Sequence, residues 1–122
     1  MAEGIDPDVR VAHDDRGRLV AVEFDGLPFV PQRTFVVTSE TAPVTRGGHV
    51  ADCRQMIILV AGRIELRTSG PGEPRVTVLD RPGASVEVRP EDYIDYDLME
   101  PGSTILVLAD RPYSRLSTIE EH

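Results

Sequence analysis

Short runs of alternating apolar and polar residues cover most of this chain, and Gly or Pro interrupts them roughly every 8–12 residues. Successive side chains on a strand point to opposite faces, so runs of this kind make strands with one buried face. Residues 19–24 read as a strand ended by Asp25-Gly26 and Pro28. Residues 33–38 form a second, with Arg33, Phe35 and Val37 sharing one face. Residues 55–60 are apolar on both faces, as in a central strand, and residues 63–68 alternate almost without fault. A tight hairpin at Ala61-Gly62 is expected to join these two. Residues 69–74 make a long hairpin loop before a strand over 75–79, and Asp80-Arg81-Pro82-Gly83 is a turn before another over 85–88. Residues 104–109 close the series, and the one short helical stretch falls after Pro112. Many short strands between Gly and Pro mean a sandwich, jelly roll or barrel. The chain is all-β.

A chain of 122 residues makes one domain whose core needs no disulfide or metal staple. Lys and Arg number 13 against 21 Asp and Glu, a net charge of -8, with no block of like charge forming a tail. Nucleic acid is excluded as a partner, because binding its backbone needs a basic face. A small anionic molecule still fits wherever a few arginines converge. Cys53 is the only cysteine, so no intrachain disulfide forms and a reducing cytoplasm is expected. The acidic, polar first residues lack the order of a signal peptide, and no apolar run approaches membrane-spanning length. No membrane partner is expected.

Chemistry concentrates at Arg46-Gly47-Gly48-His49, just ahead of Gln55 and the apolar run that follows it. Imidazole exchanges protons near neutral pH, which suits His49 to acid and base work; its bland role is a hydrogen bond at a strand end. Arg46 either stabilises developing negative charge or bonds carbonyls of its own Gly-Gly turn. Arg33 shares the parity of Phe35 and Val37 and points inward if they do, where it needs an anionic partner. A metal centre needs three or four ligands. Only His49 is suitably placed, with Asp52, Cys53 and Asp95 as poor substitutes, so no metal is expected. Cys53 reads as a small buried hydrophobe, and His13 and His122 as solvated. Asp92, Asp95 and Asp97, interleaved with Tyr93 and Tyr96, read as an acidic rim; Asp95 could also orient a histidine.

Seven groups of residues, in order, resemble the cupin superfamily, and within it the nucleotide-sugar 3,4-ketoisomerases, the WxcM-like group acting on dTDP-4-keto-6-deoxyglucose. They are Asp15-Arg16-Gly17-Arg18-Leu19; Leu27-Pro28-Phe29 with Gln32-Arg33-Thr34-Phe35; Arg46-Gly47-Gly48-His49 with Gln55; the Gly62 turn; Val78-Leu79-Asp80 with Pro82; Val88-Arg89-Pro90; and Leu106-Val107-Leu108-Ala109-Asp110 with Pro112-Tyr113. Three positions depart. The family's second histidine is Ala51, its tyrosine after the strand arginine is Phe35, and its His or Arg after the aromatic residue is Ile94. The spacing from His49 to Gln55 is also one residue shorter than usual.

The resemblance implies a single cupin jelly roll over residues 1–122, with an N-terminal segment at 1–14, the barrel at 15–111 and a tail at 112–122. It implies a metal- and cofactor-independent isomerase of deoxysugar and natural-product biosynthesis, acting on a dTDP-sugar. His49 would then move the proton and Arg46 would anchor the oxyanion. Arg33, Phe35, Arg16, Gln55, Ile94 and Tyr96 would line the substrate. Arg16 matches a variable position near the sugar, with a surface salt bridge as its other reading. Tyr93 or Tyr96 would supply the hydroxyl that Phe35 lacks. Family members are homodimers whose N-terminal strands pair with the neighbour. Two rival readings keep the fold: a cyclase or isomerase acting on a hydrophobic, polyketide-like intermediate, and a non-catalytic ligand-binding cupin.

Overall fold

The computed structural model describes residues 8–70 and 73–112; the short helix expected after Pro112, the rest of the tail and His122 lie outside them. Among these residues the strands are β1 (Asp8–Asp14), β2 (Gly17–Glu23), β3 (Arg33–Thr38), β4 (Val44–Val50), β5 (Gln55–Ala61), β6 (Ile64–Ser69), β7 (Arg75–Leu79), β8 (Ser85–Val88), β9 (Tyr93–Leu98) and β10 (Thr104–Ala109), with one 3-10 turn at Phe24–Gly26. Two antiparallel sheets, ordered β3-β10-β5-β8 and β4-β9-β6-β7, face one another, and β1-β2 form a separate hairpin. This is the jelly roll that the alternation and the resemblance lead one to expect.

Alternation explains the core directly. Val37, Ile57, Leu59, Ile105 and Val107 come from the first sheet, and Ile64, Leu66, Ile94, Tyr96 and Leu98 from the second. They meet in one cluster, as inner faces of stacked sheets do. β5 is apolar on both faces because both are covered. Its outer residues Met56 and Ile58 join Leu108 under Val9, Val20, Val22, Leu27 and Phe29 from the hairpin and the segment after it.

The hairpin expected at Ala61-Gly62 does not form. β5 pairs with β10 and β8, whereas β6 pairs with β7 and β9, so Gly62 carries the chain from one sheet to the other. Alternation reports which face a residue occupies and leaves its pairing partner open. Gly62 sits at φ +81°, and a Cβ there would collide with Ser103. Ser103, wholly buried, staples this closed end. Its Oγ accepts from the Arg63 and Glu100 N–H groups (3.2 Å each) and donates to the Arg63 carbonyl (3.1 Å). Ser103→Ala leaves buried backbone donors without their acceptor. A loss of about 1–3 kcal/mol in urea unfolding is expected.

The opposite end is a mouth. Register brings the starts of β3, β5, β7 and β9 beside the ends of β10, β8, β6 and β4. The short connections 51–54 and 89–92 hold the two sheets together there. Arg54 fastens the first of these. Its guanidinium donates to Glu87 (2.8 and 3.0 Å) and to the Pro28 carbonyl (3.1 Å), and its backbone exchanges bonds with Asp110.

Candidate active site

Arg46 and His49 are three positions apart, which in a regular strand places them on opposite faces. The pairing of β4 with β9 removes that obstacle. Arg46 lies opposite Tyr96, Gly47 opposite Asp95 and His49 opposite Ile94, with the register shifting between Gly47 and His49. Gly48 is the extra residue of a β-bulge. Directly paired residues share a face, and Tyr96 and Ile94 are core residues, so Arg46 and His49 both face the barrel interior. The glycines are required by geometry. Gly47 and Gly48 have φ of +89° and +86°, and a Cβ on Gly47 would come 2.9 Å from the Ile94 carbonyl oxygen.

The remaining inward residues fall into cross-strand rows. In one sheet Arg33, Ala109, Gln55 and Val88 form the row at the mouth, with Phe35, Val107, Ile57 and Val86 beneath. In the other His49, Ile94, Thr68 and Arg75 form the mouth row, with Arg46, Tyr96, Leu66 and Thr77 beneath. Arg33, Phe35, Gln55, Ile94, Tyr96, Arg46 and His49 are therefore brought to one end of one interior. Arg33 places its guanidinium carbon 4.6 Å from the Phe35 ring centre. Ile94 and Tyr96 are 2% and 5% exposed, and the Nδ1 atom of His49 is buried. Ala51 belongs to the same core cluster, so the interior beside His49 is apolar.

Arg16 is placed elsewhere. It sits on the β1–β2 turn, its side chain 88% exposed and paired with Asp14 at 2.6 Å. Nearby Arg18 donates to the Val60 carbonyl, near the closed end of β5. The surface salt bridge is the contact that Arg16 makes in this chain.

Asp95 and Asp97 are also not at the mouth. They alternate with Ile94, Tyr96 and Leu98 and so occupy the outer face of β9. There Arg67 donates to Asp95 (2.6 Å) and with two nitrogens to Asp97 (3.0 and 3.2 Å), and Thr45 donates to Asp97 (2.6 Å). Asp95 and Asp97 thus form an ion-paired network in place of a solvated rim, because β6 sets an arginine directly beside the carboxylates. Asp95 cannot orient His49 from the opposite face. Hydrogen bonds from Arg67 first, then Thr45, hold the Asp97 carboxyl below its ordinary value. A depressed carboxyl stabilises the fold fully above that ordinary value, about 3.8, and loses its contribution as pH falls through the folded value. The melting temperature should hold from pH 8 to 5 and drop below about pH 4. Arg67→Met should cost about 1 kcal/mol at neutral pH, since the network is partly solvated, and should flatten the acid limb.

Cys53 is buried, and burial pushes its thiol up, away from the reactive thiolate. Among the described residues, no group of three His, Cys, Asp or Glu side chains converges as metal ligands. No helix among them is long and apolar enough to cross a membrane. Thr68 and Arg75 share the mouth row with His49 and were not singled out from the sequence as site residues. The parity of Ile64, Leu66 and Thr68 already carries that signal.

A family model, FdtA (WxcM-like, C-terminal), matches residues 7–121. No curated protein matches the chain. Among solved structures, a double mutant of the QdtA 3,4-ketoisomerase from Thermoanaerobacterium thermosaccharolyticum in complex with TDP is 25% identical. It superposes with a TM-score of 0.76 over 93% of this chain and 82% of that one. The WlaRB TDP-quinovose 3,4-ketoisomerase from Campylobacter jejuni is 24% identical, with a TM-score of 0.72 over 90% and 86%. The dTDP-4-dehydrorhamnose 3,5-epimerase from Bacillus anthracis, at 19% identity and a TM-score of 0.70 over 92% and 73%, shares the fold. With that family model spanning nearly its whole length, and this barrel, the chain belongs to the WxcM-like, C-terminal family of cupin-fold proteins.

Proposed function

We propose that the chain is a sugar-nucleotide isomerase of the 3,4-ketoisomerase type, working on a dTDP-linked keto-deoxysugar without a metal. One observation carries this reading: the Gly47-Gly48 bulge turns Arg46 and His49 together into the mouth, in a barrel whose family relative binds TDP. His49 takes the proton from C3 as that bonding pair forms the C3–C4 double bond and the C4 ketone becomes an enolate. The positive charge of Arg46 stabilises the enolate oxygen. The O3 proton passes to O4. The double bond then takes the proton back from His49 at C4 as the C3 ketone forms, so a single base closes the cycle. Tyr96, directly across from Arg46, is the proposed source of the hydroxyl that Phe35 lacks, and Arg33 the holder of the diphosphate. The assembly we propose is a cytoplasmic homodimer, its second copy covering exposed Val11, Leu19, Phe24 and Val36.

A second reading is favoured by one feature, the apolar wall of Ile94, Ala51 and Phe35 around His49, which suits a hydrophobic intermediate. TDP separates the two. At about 100 times its dissociation constant it should add about 2.7 kcal/mol of stability, raising the melting temperature by roughly 10 °C. No shift at millimolar TDP would remove the nucleotide sugar from the reading.

A further inference from the structure

Beyond His49 and Ile94 the mouth row continues to Thr68 and Arg75 and opens into a cavity of about 510 Å³. Its walls are the ends of β6 and β7 and the β8–β9 connection, including Thr68, Arg75, Arg89, Pro90 and Asp92. That volume lies in the range of small-molecule sites. At about 4.8 Å per strand, the Arg75 backbone lies about 14 Å across the sheet from that of His49.

Charge is arranged unevenly in this cavity. The chain has no lysine, and Arg16, Arg54 and Arg67 are each matched to carboxylates. Among the described residues, Arg75 and Arg89 have no such match, although the chain carries a net charge of -8. Asp92 is the nearest candidate, and it is already used. One of its oxygens accepts the Arg89 backbone N–H (3.1 Å), and the other lies against Gly70, where any Cβ would collide with it. Glu73 is exposed at the lip, so the lining carries two guanidiniums and two carboxylates, and neither guanidinium is ion-paired to either carboxylate. Two guanidiniums in one cavity hold a planar or tetrahedral oxyanion through paired hydrogen bonds.

We propose that Arg75 and Arg89 form an anion subsite, which holds a carboxylate or phosphoryl group on the end of the ligand remote from its diphosphate. Sheet order supplies the polarity. Arg33 lies on β3 and Arg75 on β7, each an edge strand of its sheet, and His49 lies on β4, at the other edge of the sheet that holds Arg75. A ligand anchored at Arg33 and reacting at His49 directs its far end to Arg75. The substrate class is then a keto-deoxysugar that also carries an acidic group. This placement of the two ends rests on the nucleotide-sugar reading; the subsite itself does not.

The test is an NMR titration of the whole protein with malonate and, separately, inorganic phosphate, with and without saturating TDP. Both anions should shift the amides of Gly70, Arg75 and Arg89. R75Q/R89Q, both exposed positions, should weaken that binding at least about tenfold. Tighter malonate binding identifies a carboxylate, and tighter phosphate binding a phosphoryl group. TDP should leave the anion affinity unchanged. Shifts that persist at full strength in R75Q/R89Q, or that centre on Arg33, overturn the subsite. If TDP fails to bind while the anions still depend on Arg75 and Arg89, the nucleotide-sugar reading falls and the subsite stands.

Discussion

A His49→Asn variant should keep its melting temperature within a few degrees and lose about 10²–10⁴-fold in kcat on a dTDP-4-keto-6-deoxysugar. Asparagine keeps a polar group of similar reach on the inner face of β4 but has no basic nitrogen. The site offers no ready substitute. Ile94 lies directly opposite, Ala51 occupies the position of a second histidine, and Asp95 points to the outer face. Arg46 can steady an enolate through its guanidinium but offers no acceptor for a proton. Loss should therefore appear in kcat far more than in KM, as removal of an interaction made in the transition state requires. Full activity in this variant would end the proton-transfer mechanism. Binding of TDP without turnover in the parent would leave the ligand-binding cupin as the reading.

Face could be read from this sequence, and partner could not. Period-two alternation placed Arg33 with Phe35 and Val37 and found seven strands, because side chains on a pleated strand report burial one residue at a time. It missed β1, which falls in the polar N-terminal segment, and it missed β4 and β9 for different reasons. β4 contains Gly47-Gly48, a pair that usually signals a turn; here both glycines lie within the strand, at a bulge. β9 alternates cleanly, Ile94, Tyr96 and Leu98 against Tyr93, Asp95 and Asp97, but its carboxylates looked like a solvated rim. Only the pairing of β9 with β6 shows that Arg67 bridges Asp95 and Asp97. The Gly62 corner has the same origin, since two residues suffice for a hairpin or for a step between sheets. Position in a motif points Arg16 to the mouth, whereas within this chain it pairs with its neighbour Asp14.

The bulge itself yields the sharpest mechanical consequence. Gly47 and Gly48 both have positive φ, a conformation that costs other residues about 1–2 kcal/mol each. Their surroundings differ. A methyl on Gly48 meets nothing nearer than the Tyr93 hydroxyl at 3.7 Å, whereas one on Gly47 runs into Ile94 oxygen at 2.9 Å and Asp95 Cα at 3.0 Å, both backbone. Gly48→Ala should therefore cost about 1 kcal/mol, and Gly47→Ala at least about twice that. Replacing both with valine should favour regular pairing, in which residue 48 opposes Ile94 and His49 opposes Tyr93 on the outer face. Turnover should then fall as far as in His49→Asn. Deleting Gly48 has the opposite logic. Arg46 still opposes Tyr96, Gly47 still opposes Asp95, and His49 still opposes Ile94, now in an unbroken ladder with both site residues facing inward. The deletion should retain far more activity than the double valine variant, although it removes a residue from the motif. Equal loss in the two would show that the bulge sets more than the faces of Arg46 and His49.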